Sequence, residues 1–240
     1  MITAYVRLEV RRTLRDVGFA ISSIAVPVMM YLLFTNLGGA DDTAYKTAAM
    51  VGMAAYGALG AAMSLGTGVA EDKSSGWLRQ LRVTPMSPRQ VVTGRALTGT
   101  VVVLPAIVAV LLAGGLANGV RLDAWQWAAT ALALWAGSLP FTLLGLGNGY
   151  RLTAQTTGVA NVACNLGLAV VGGLWFPVQL FPHWLATLSS YTPTSRFSEI
   201  ARAVTERSAP SASALAVLAA WAALFGTYAA FSYRRSARTA

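Results

Sequence analysis

The sequence predicts an all-α polytopic membrane protein with six transmembrane helices. Hydrophobic residues make up 55% of the 240 residues, charged residues only 11%, and the mean hydropathy is +0.56. A soluble domain is about a quarter charged, because its surface must be hydrated. The low charge argues against a basic nucleic-acid-binding protein, and the apolar content excludes disorder. Cys164 and His183 are the single residues of their types, which disfavours an internal disulfide framework and a zinc site.

Six apolar segments are long enough to cross a bilayer as helices, since each needs about 20 residues. They comprise roughly residues 17–37, 47–70, 94–117, 125–149, 156–177 and 212–232. None alternates apolar and polar residues as the strands of a membrane barrel do. We therefore expect residues 1–240 to form a single transmembrane domain.

The basic residues concentrate on one side of these six spans. Lys and Arg accumulate in loops that stay in the cytoplasm, and 13 of the 18 lie in the two termini and the loops on the same side. Both termini are therefore predicted to be cytoplasmic, and most of the net charge of +9 orients the chain, with contact to lipid headgroups as an accompanying effect. The Ala-, Gly- and Arg-rich composition favours a bacterial plasma membrane.

Residues 1–16 mix basic side chains with scattered apolar ones. This pattern favours an amphipathic N-terminal helix that lies in the membrane interface. A positive flank that simply orients the first span is the alternative.

The longest predicted cytoplasmic loop, residues 71–93, contains a candidate short helix. Ser74 or Ser75 can cap it, and it ends before Pro85 because the residue before a proline disfavours the α conformation. Its apolar side would comprise Trp77, Leu78 and Leu81. Such a helix is either a docking element for another protein or a helix that lies on the lipid headgroups with its tryptophan as an anchor.

The segment around residues 178–211, after the fifth span, is too proline-rich for a straight helix and too apolar for an ordinary loop. We expect short re-entrant or interfacial helices, broken at Pro177, Pro182 and Pro193. Aromatic side chains there fit a belt at the outer membrane interface, and His183 is expected to be exposed or interfacial.

Two motifs resemble a known family. The pattern Glu71…Ser75-Gly76-Trp77-Leu78…Leu81-Arg82…Thr84-Pro85-Met86-Ser87 resembles the cytoplasmic loop of the ABC type-2 transporter permeases. The stretch Gly173-Leu174-Trp175-Phe176-Pro177…Leu180-Phe181-Pro182…Trp184…Pro193 is similar to the re-entrant segment of the same family. The order of the motifs and the six-span layout agree, so the resemblance covers nearly the whole chain. It implies an ABCG-like type V exporter fold with a cytoplasmic coupling helix and extracytoplasmic re-entrant helices.

The resemblance also implies the partners and the substrate class. Two permeases, either identical copies or paralogues, would combine with two ATPase subunits to export an amphipathic drug, antibiotic or lipid. The chain has no GxxxxGK[ST] phosphate loop, so ATP and Mg²⁺ would bind to the ATPase, and no cofactor to this chain. The coupling helix would sit in a groove of the ATPase. The coupling residues implied are Glu71, Gly76, Trp77, Leu78, Leu81, Arg82, Thr84 and Pro85.

We further hypothesise that Glu71, near the membrane end of the second span, pairs with a charge on the N-terminal helix. This ion pair would link the second span to that helix.

Small and polar residues recur every four positions in two of the spans. On the second span the repeat is Gly52, Tyr56, Gly60, Ser64 and Gly68, which favours close helix packing, with a substrate surface as the alternative. On the fifth span the repeat is Thr157, Asn161 and Asn165, which favours either interhelical hydrogen bonds or a substrate pathway. Together with the resemblance, these repeats predict a substrate pathway or dimer interface. Its residues would be Tyr56, Thr157, Asn161, Asn165 and Phe176.

Other functional classes stay open at this point. No span carries a central Asp, Glu, Lys or Arg, which argues against a proton-coupled carrier and against a charged ion pore. A non-transporting sensor or immunity protein on the same fold is one alternative. A membrane-embedded enzyme is a second, although the sequence offers no acid–base or nucleophile–base pair for it.

The glycine cluster 145–149 favours helix packing over nucleotide binding.

Overall fold

The computed structural model describes residues 2–37, 42–75 and 88–239, and the regular secondary structure within them is helical. In chain order the elements are α1 (Ile2–Leu14), α2 (Val17–Ala20), a π-helical turn (Ile21–Ala25), α3 (Val26–Leu37), α4 (Thr43–Ser74), α5 (Pro88–Ala117), α6 (Ala124–Gly137), α7 (Leu139–Arg151), α8 (Ala154–Val171), a 3₁₀ turn (Val178–Leu180), α9 (His183–Ser190), α10 (Pro193–Thr205) and α11 (Ala212–Thr239). The prediction of an all-α polytopic membrane protein is confirmed.

Five helical stretches of the described chain are long and apolar enough to cross a membrane. They are Val17–Asn36, Thr43–Ser74, Leu97–Ala117, Ala124–Arg151 and Ala212–Ser236, and they match the first, second, third, fourth and sixth predicted spans. Helix α8, at the predicted fifth span, has 18 residues and is not among the five. Its Gln155, Asn161 and Asn165 lower its mean hydropathy. The sixth span therefore stays a prediction.

Helix α4 is the central helix of the fold. It packs against α3, α5, α7 and α8, and 78% of its apolar window is buried. In contrast, only 11% of the corresponding window of α11 is buried. A helix that is apolar on all sides and enclosed forms the core of a bundle, whereas one with its apolar surface uncovered suits contact with lipid or with another membrane helix.

Glycines bring α4 and α7 into close backbone contact. A Cβ added at Gly66 would overlap the carbonyl of Gly145, and one at Gly149 would overlap the carbonyl of Gly66. Small residues permit this approach because no side chain separates the two backbones. The interpretation of residues 145–149 as a packing element is confirmed.

The predicted glycine repeat on α4 serves two different purposes along its length. At one end, Gly52 lies directly against the carbonyl of Leu174, as the packing interpretation expects. At the other end, a Cβ added at Gly68 would have no atom within 4 Å, because Gly68 faces a cavity. The sequence repeat did not include Gly66, which makes the closest helix contact.

Prolines interrupt the predicted first and fourth spans. The π-helical turn ends two residues before Pro27, which has no N–H for the carbonyl of Ser23. The fourth span divides at Ser138, between α6 and α7, because Pro140 likewise has no N–H for the carbonyl of Ala136.

The predicted fifth span ends earlier than expected. Helix α8 stops at Val171, and Gly173 then adopts a φ of +69°, a conformation that glycine tolerates best. The three short helical segments that follow each begin at or directly after a proline, as predicted. Helix α10 packs against α6, and the ring of its Phe197 lies 5.4 Å from that of Phe141 on α7. His183 is exposed, as predicted.

The boundary of the predicted coupling loop is different in the structure. Helix α4 continues to Ser74, so Glu71 lies in its last turn and not in a loop. Of the predicted coupling helix, residues 74–86, only Ser74 and Ser75 are described, and they end α4 where the prediction had them start the coupling helix. Its remaining residues, 76–86, lie outside the described residues. The same holds for seven of its predicted coupling residues: Gly76, Trp77, Leu78, Leu81, Arg82, Thr84 and Pro85.

Candidate functional site

A buried carboxylate lies at the end of α4 that adjoins residues 76–87. Asp72 is 2% exposed, and its Oδ1 accepts a hydrogen bond of 3.1 Å from Nη1 of Arg12 on α1. Its Oδ2 accepts a second bond from Nη2 of Arg95 on α5, which is 3% exposed. A buried charge is tolerated only when it is paired in this way. We call Arg12, Asp72 and Arg95 the Asp72 cluster; it joins α1, α4 and α5.

The hypothesis that Glu71 links the second span to the N-terminal helix is wrong in its residue. The link exists, but Asp72 makes it, and Glu71 is exposed. Successive residues of an α-helix point about 100° apart, so Asp72 hydrogen-bonds both arginines, whereas Glu71 lines the neighbouring cavity and acts on Arg12 only through a Coulombic interaction. The hydrogen bond to Asp72 raises the pKa of the Arg12 guanidinium, although burial acts in the opposite direction, so this guanidinium stays charged.

Sequence reasoning also missed Arg95 as a partner. Arg95 and Asp72 are charges at the ends of consecutive apolar segments. Antiparallel neighbouring spans bring such ends together, so the positions of these two charges in the sequence could have predicted that they pair.

Lys73 extends the connection to a fourth helix. Its Nζ donates hydrogen bonds to the carbonyls of Leu152 at 2.7 Å and Tyr150 at 3.1 Å. The last carbonyls of a helix have no intrahelical partner, and a cation there also interacts favourably with the helix dipole. Asp72 and Lys73 therefore tie one end of α4 to α1, α5 and α7.

Hydrogen bonds between asparagines connect four helices deeper in the bundle. The hydroxyl of Tyr228 on α11 donates to Oδ1 of Asn148 at 3.0 Å, and Nδ2 of Asn148 donates to Oδ1 of Asn161 at 2.9 Å. Nδ2 of Asn161 in turn donates to the carbonyl of Met63 on α4 at 2.9 Å. These bonds favour the interhelical interpretation of Asn161. Thr157 is fully buried and bonds to the carbonyl of Thr153, so it too has a structural role.

The other three predicted pathway residues lie in different environments. Tyr56 is 7% exposed and packs edge-on against Trp175, with ring centroids 5.3 Å apart. Phe176 is exposed beside Phe34. Asn165 lines a cavity, and its buried Oδ1 has no hydrogen-bond partner among the described residues.

This cavity has a volume of about 390 Å³. Its walls come from α1, the π-helical turn, α4 and α8, with contributions from α2, α5 and α7. Three members of the predicted α4 repeat line it: Gly60, Ser64 and Gly68. For this end of α4, the substrate-surface alternative therefore has structural support.

A family model described as "ABC-2 family transporter protein" matches residues 20–231. The chain belongs to the ABC-2 transporter family. It is also 27% identical over 222 residues to the "Putative transport permease YvfS" of Bacillus subtilis (strain 168), a match that covers 90% of each chain. This permease is thus a multi-pass membrane subunit of a transporter, and its family implies an ABC ATPase partner.

Proposed function

We propose that this permease is the membrane half of an ATP-driven exporter that moves an amphipathic drug, antibiotic or lipid out of the cell. The energy comes from a separate ATPase, present in two copies, which binds ATP and Mg²⁺. This activity would place the protein in multidrug efflux or antibiotic resistance.

The observation that carries the proposal is the position of Asp72 and Lys73. They lie within four residues of the segment 76–87, and they bind α1, α5 and α7. Any movement of that segment by a docked ATPase acts on an end of α4 that is tied to three other helices. These ties support a mechanism in which the loop moves several membrane helices as one unit.

The proposed arrangement in the membrane has six spans, with α8 as the fifth and both termini in the cytoplasm. On α8 the polar residues Thr157 and Asn161 face the bundle, and four of the large apolar residues are exposed. These exposed residues are Val159, Val162, Leu166 and Val170. An outward apolar face of this kind suits a membrane helix that contacts lipid or a second permease, either an identical copy or a paralogue.

The test is the double variant Trp77→Ala, Leu81→Ala. Its matched control is Trp184→Ala, Leu188→Ala, which removes the same residue types at the same spacing from exposed positions on α9. We expect the first pair to abolish co-purification with the ATPase and the stimulation of ATP hydrolysis by substrate. The control pair should retain both.

Unchanged assembly and coupling in the first variant would contradict the proposed docking. ATP-dependent efflux by the reconstituted permease–ATPase pair separates an exporter from a sensor on the same fold, since a sensor would bind ligand without moving it. Inward transport would overturn the proposed direction.

A further inference from the structure

The cavity beside α4 has the size of a small-molecule site. Its volume of about 390 Å³ lies within the range of roughly 300–1,000 Å³ that is typical of ligand pockets. Part of its lining is apolar, with the side chains of Met63, Leu65, Leu146 and Val162. These side chains suit the hydrocarbon part of an amphiphile.

The cavity lining also carries an excess of negative charge. Three carboxylates line the cavity, on Glu9, Asp16 and Glu71, together with the guanidiniums of Arg12 and Arg95. Both guanidiniums bind Asp72 directly, so their charge is already shared with a fourth carboxylate. The net charge of these described groups is −2, in a chain whose total charge is +9. A local negative potential in a positive protein attracts cations.

Glu9 is the carboxylate best placed to bind a cation. Its side chain is only 12% exposed, and its contact with Nη1 of Arg12 is 3.9 Å, too long for a hydrogen bond. Asp16 differs, because its Oδ1 already accepts a 3.0 Å bond from the amide of Phe19. A mostly buried carboxylate gains strongly from a charge-assisted hydrogen bond, and an ammonium group would supply one.

We infer that this cavity binds the ammonium group of an amphiphile, with Glu9 as its counter-ion and the apolar chain against Met63 and Val162. The inference rests on the proposed exporter function, for which it narrows the substrate class from amphipathic molecules in general to cationic ones. The ammonium could belong to a soluble cationic compound or to the headgroup of a membrane lipid.

The test measures binding of radiolabelled octyltrimethylammonium to the full-length permease in dodecyl maltoside micelles without ATP, both alone and in complex with its ATPase. We expect saturable binding that Glu9→Gln weakens by about 10- to 100-fold, the range for loss of a charge-assisted hydrogen bond. The control Glu206→Gln removes an exposed carboxylate far along the chain and should leave the affinity unchanged.

A second variant tests the site without changing its charge. Gly68 faces the cavity with no atom within 4 Å of an added Cβ, so Gly68→Leu should fill the space and abolish binding. Thermal unfolding of each variant shows whether its fold is intact. Equal affinity in wild type, Glu9→Gln and Gly68→Leu overturns the inference, and so does equally tight binding of octyl sulfate.

Competition distinguishes the two sources of the ammonium. Displacement of the probe by phosphatidylethanolamine but not by phosphatidylglycerol supports a lipid headgroup, and failure of both lipids to compete supports a soluble cation. Because binding is measured without ATP, a permease that assembles with its ATPase but does not bind the probe refutes this inference alone. A permease that binds the probe but does not assemble refutes the exporter proposal alone.

Discussion

Asp72 and Glu71 are adjacent carboxylates with different environments. The Asp72 side chain is 3% exposed and holds two arginines, whereas Glu71 is exposed at the cavity. Both residues carry a carboxylate, so the side of α4 that each one faces decides its role.

Replacing Asp72 by Asn should destabilise the permease strongly. Removing one partner of a buried ion pair costs about 3–5 kcal/mol, because the remaining charge is left buried without compensation. The matched variant Glu71→Gln should change the stability by less than about 0.5 kcal/mol, as exposed substitutions usually do. Thermal unfolding in detergent measures the difference. Equal melting temperatures for the two variants would mean that the Asp72 cluster does not stabilise the fold.

Asn161 and Asn165, one helical turn apart on α8, should respond differently to leucine. Asn161→Leu removes the bonds to Asn148 and Met63, and interhelical bonds in membranes contribute about 0.6–2 kcal/mol each, so stability should fall. Both asparagines line the cavity, but the Oδ1 of Asn165 has no hydrogen-bond partner among the described residues, so Asn165→Leu should leave stability unchanged and alter the response to a compound panel. Melting temperatures and substrate-stimulated ATP hydrolysis measure both effects. If instead Asn161→Leu altered the compound response and Asn165→Leu lowered stability, Asn161 would be the pathway residue and Asn165 the structural one.

At the scale of elements, the packing of α4 on α7 depends on glycines that have no Cβ. Neither helix could approach so closely with alanine at Gly66 or Gly149, since the opposing backbone carbonyls occupy that space. The same contact aligns Lys73 with the end of α7, so helix packing positions the polar ties described above.

Gly66→Ala should therefore destabilise the permease by about 1–3 kcal/mol, the usual cost of overpacking. Gly167→Ala on α8 is the control, because a Cβ there has no atom within 4 Å. This control should gain about 0.5–1 kcal/mol from reduced backbone freedom in the unfolded chain. Denaturant unfolding in detergent compares the two variants. A stable Gly66→Ala protein would contradict the close approach of α4 and α7.

At the scale of the whole molecule, the distribution of basic residues predicts which side each loop occupies. In a Cys164→Ala background, we expect Ser208→Cys, between α10 and α11, to react with a membrane-impermeant maleimide on intact cells. Ser75→Cys, at the end of α4, should react only after permeabilisation. Both positions are exposed, so access to the reagent depends on the side of the membrane. Labelling in the opposite order would invert the predicted topology.

Local signals in the sequence predicted much of the architecture. Prolines mark the positions where helices end or begin, as at Pro193 at the start of α10, because a proline has no backbone N–H to donate a hydrogen bond. The contacts within the candidate site were harder to predict from the sequence. The partners of Asn161 come from residues 13 and 98 positions away, and no local pattern specifies that pairing.

The sequence alone determined that this is an apolar helical membrane protein with a basic net charge and an ABC-2 pattern. A bilayer demands long apolar helices that satisfy their own backbone hydrogen bonds, and that demand acts on each segment separately. Only the tertiary structure decided that Asp72, and not Glu71, hydrogen-bonds α1 and α5. It also decided that Asn161 joins helices, while Asn165, which lines the same cavity, has no partner for its Oδ1 among the described residues. These roles depend on the rotation and approach of helices distant in the chain, which are set when their surfaces pack together.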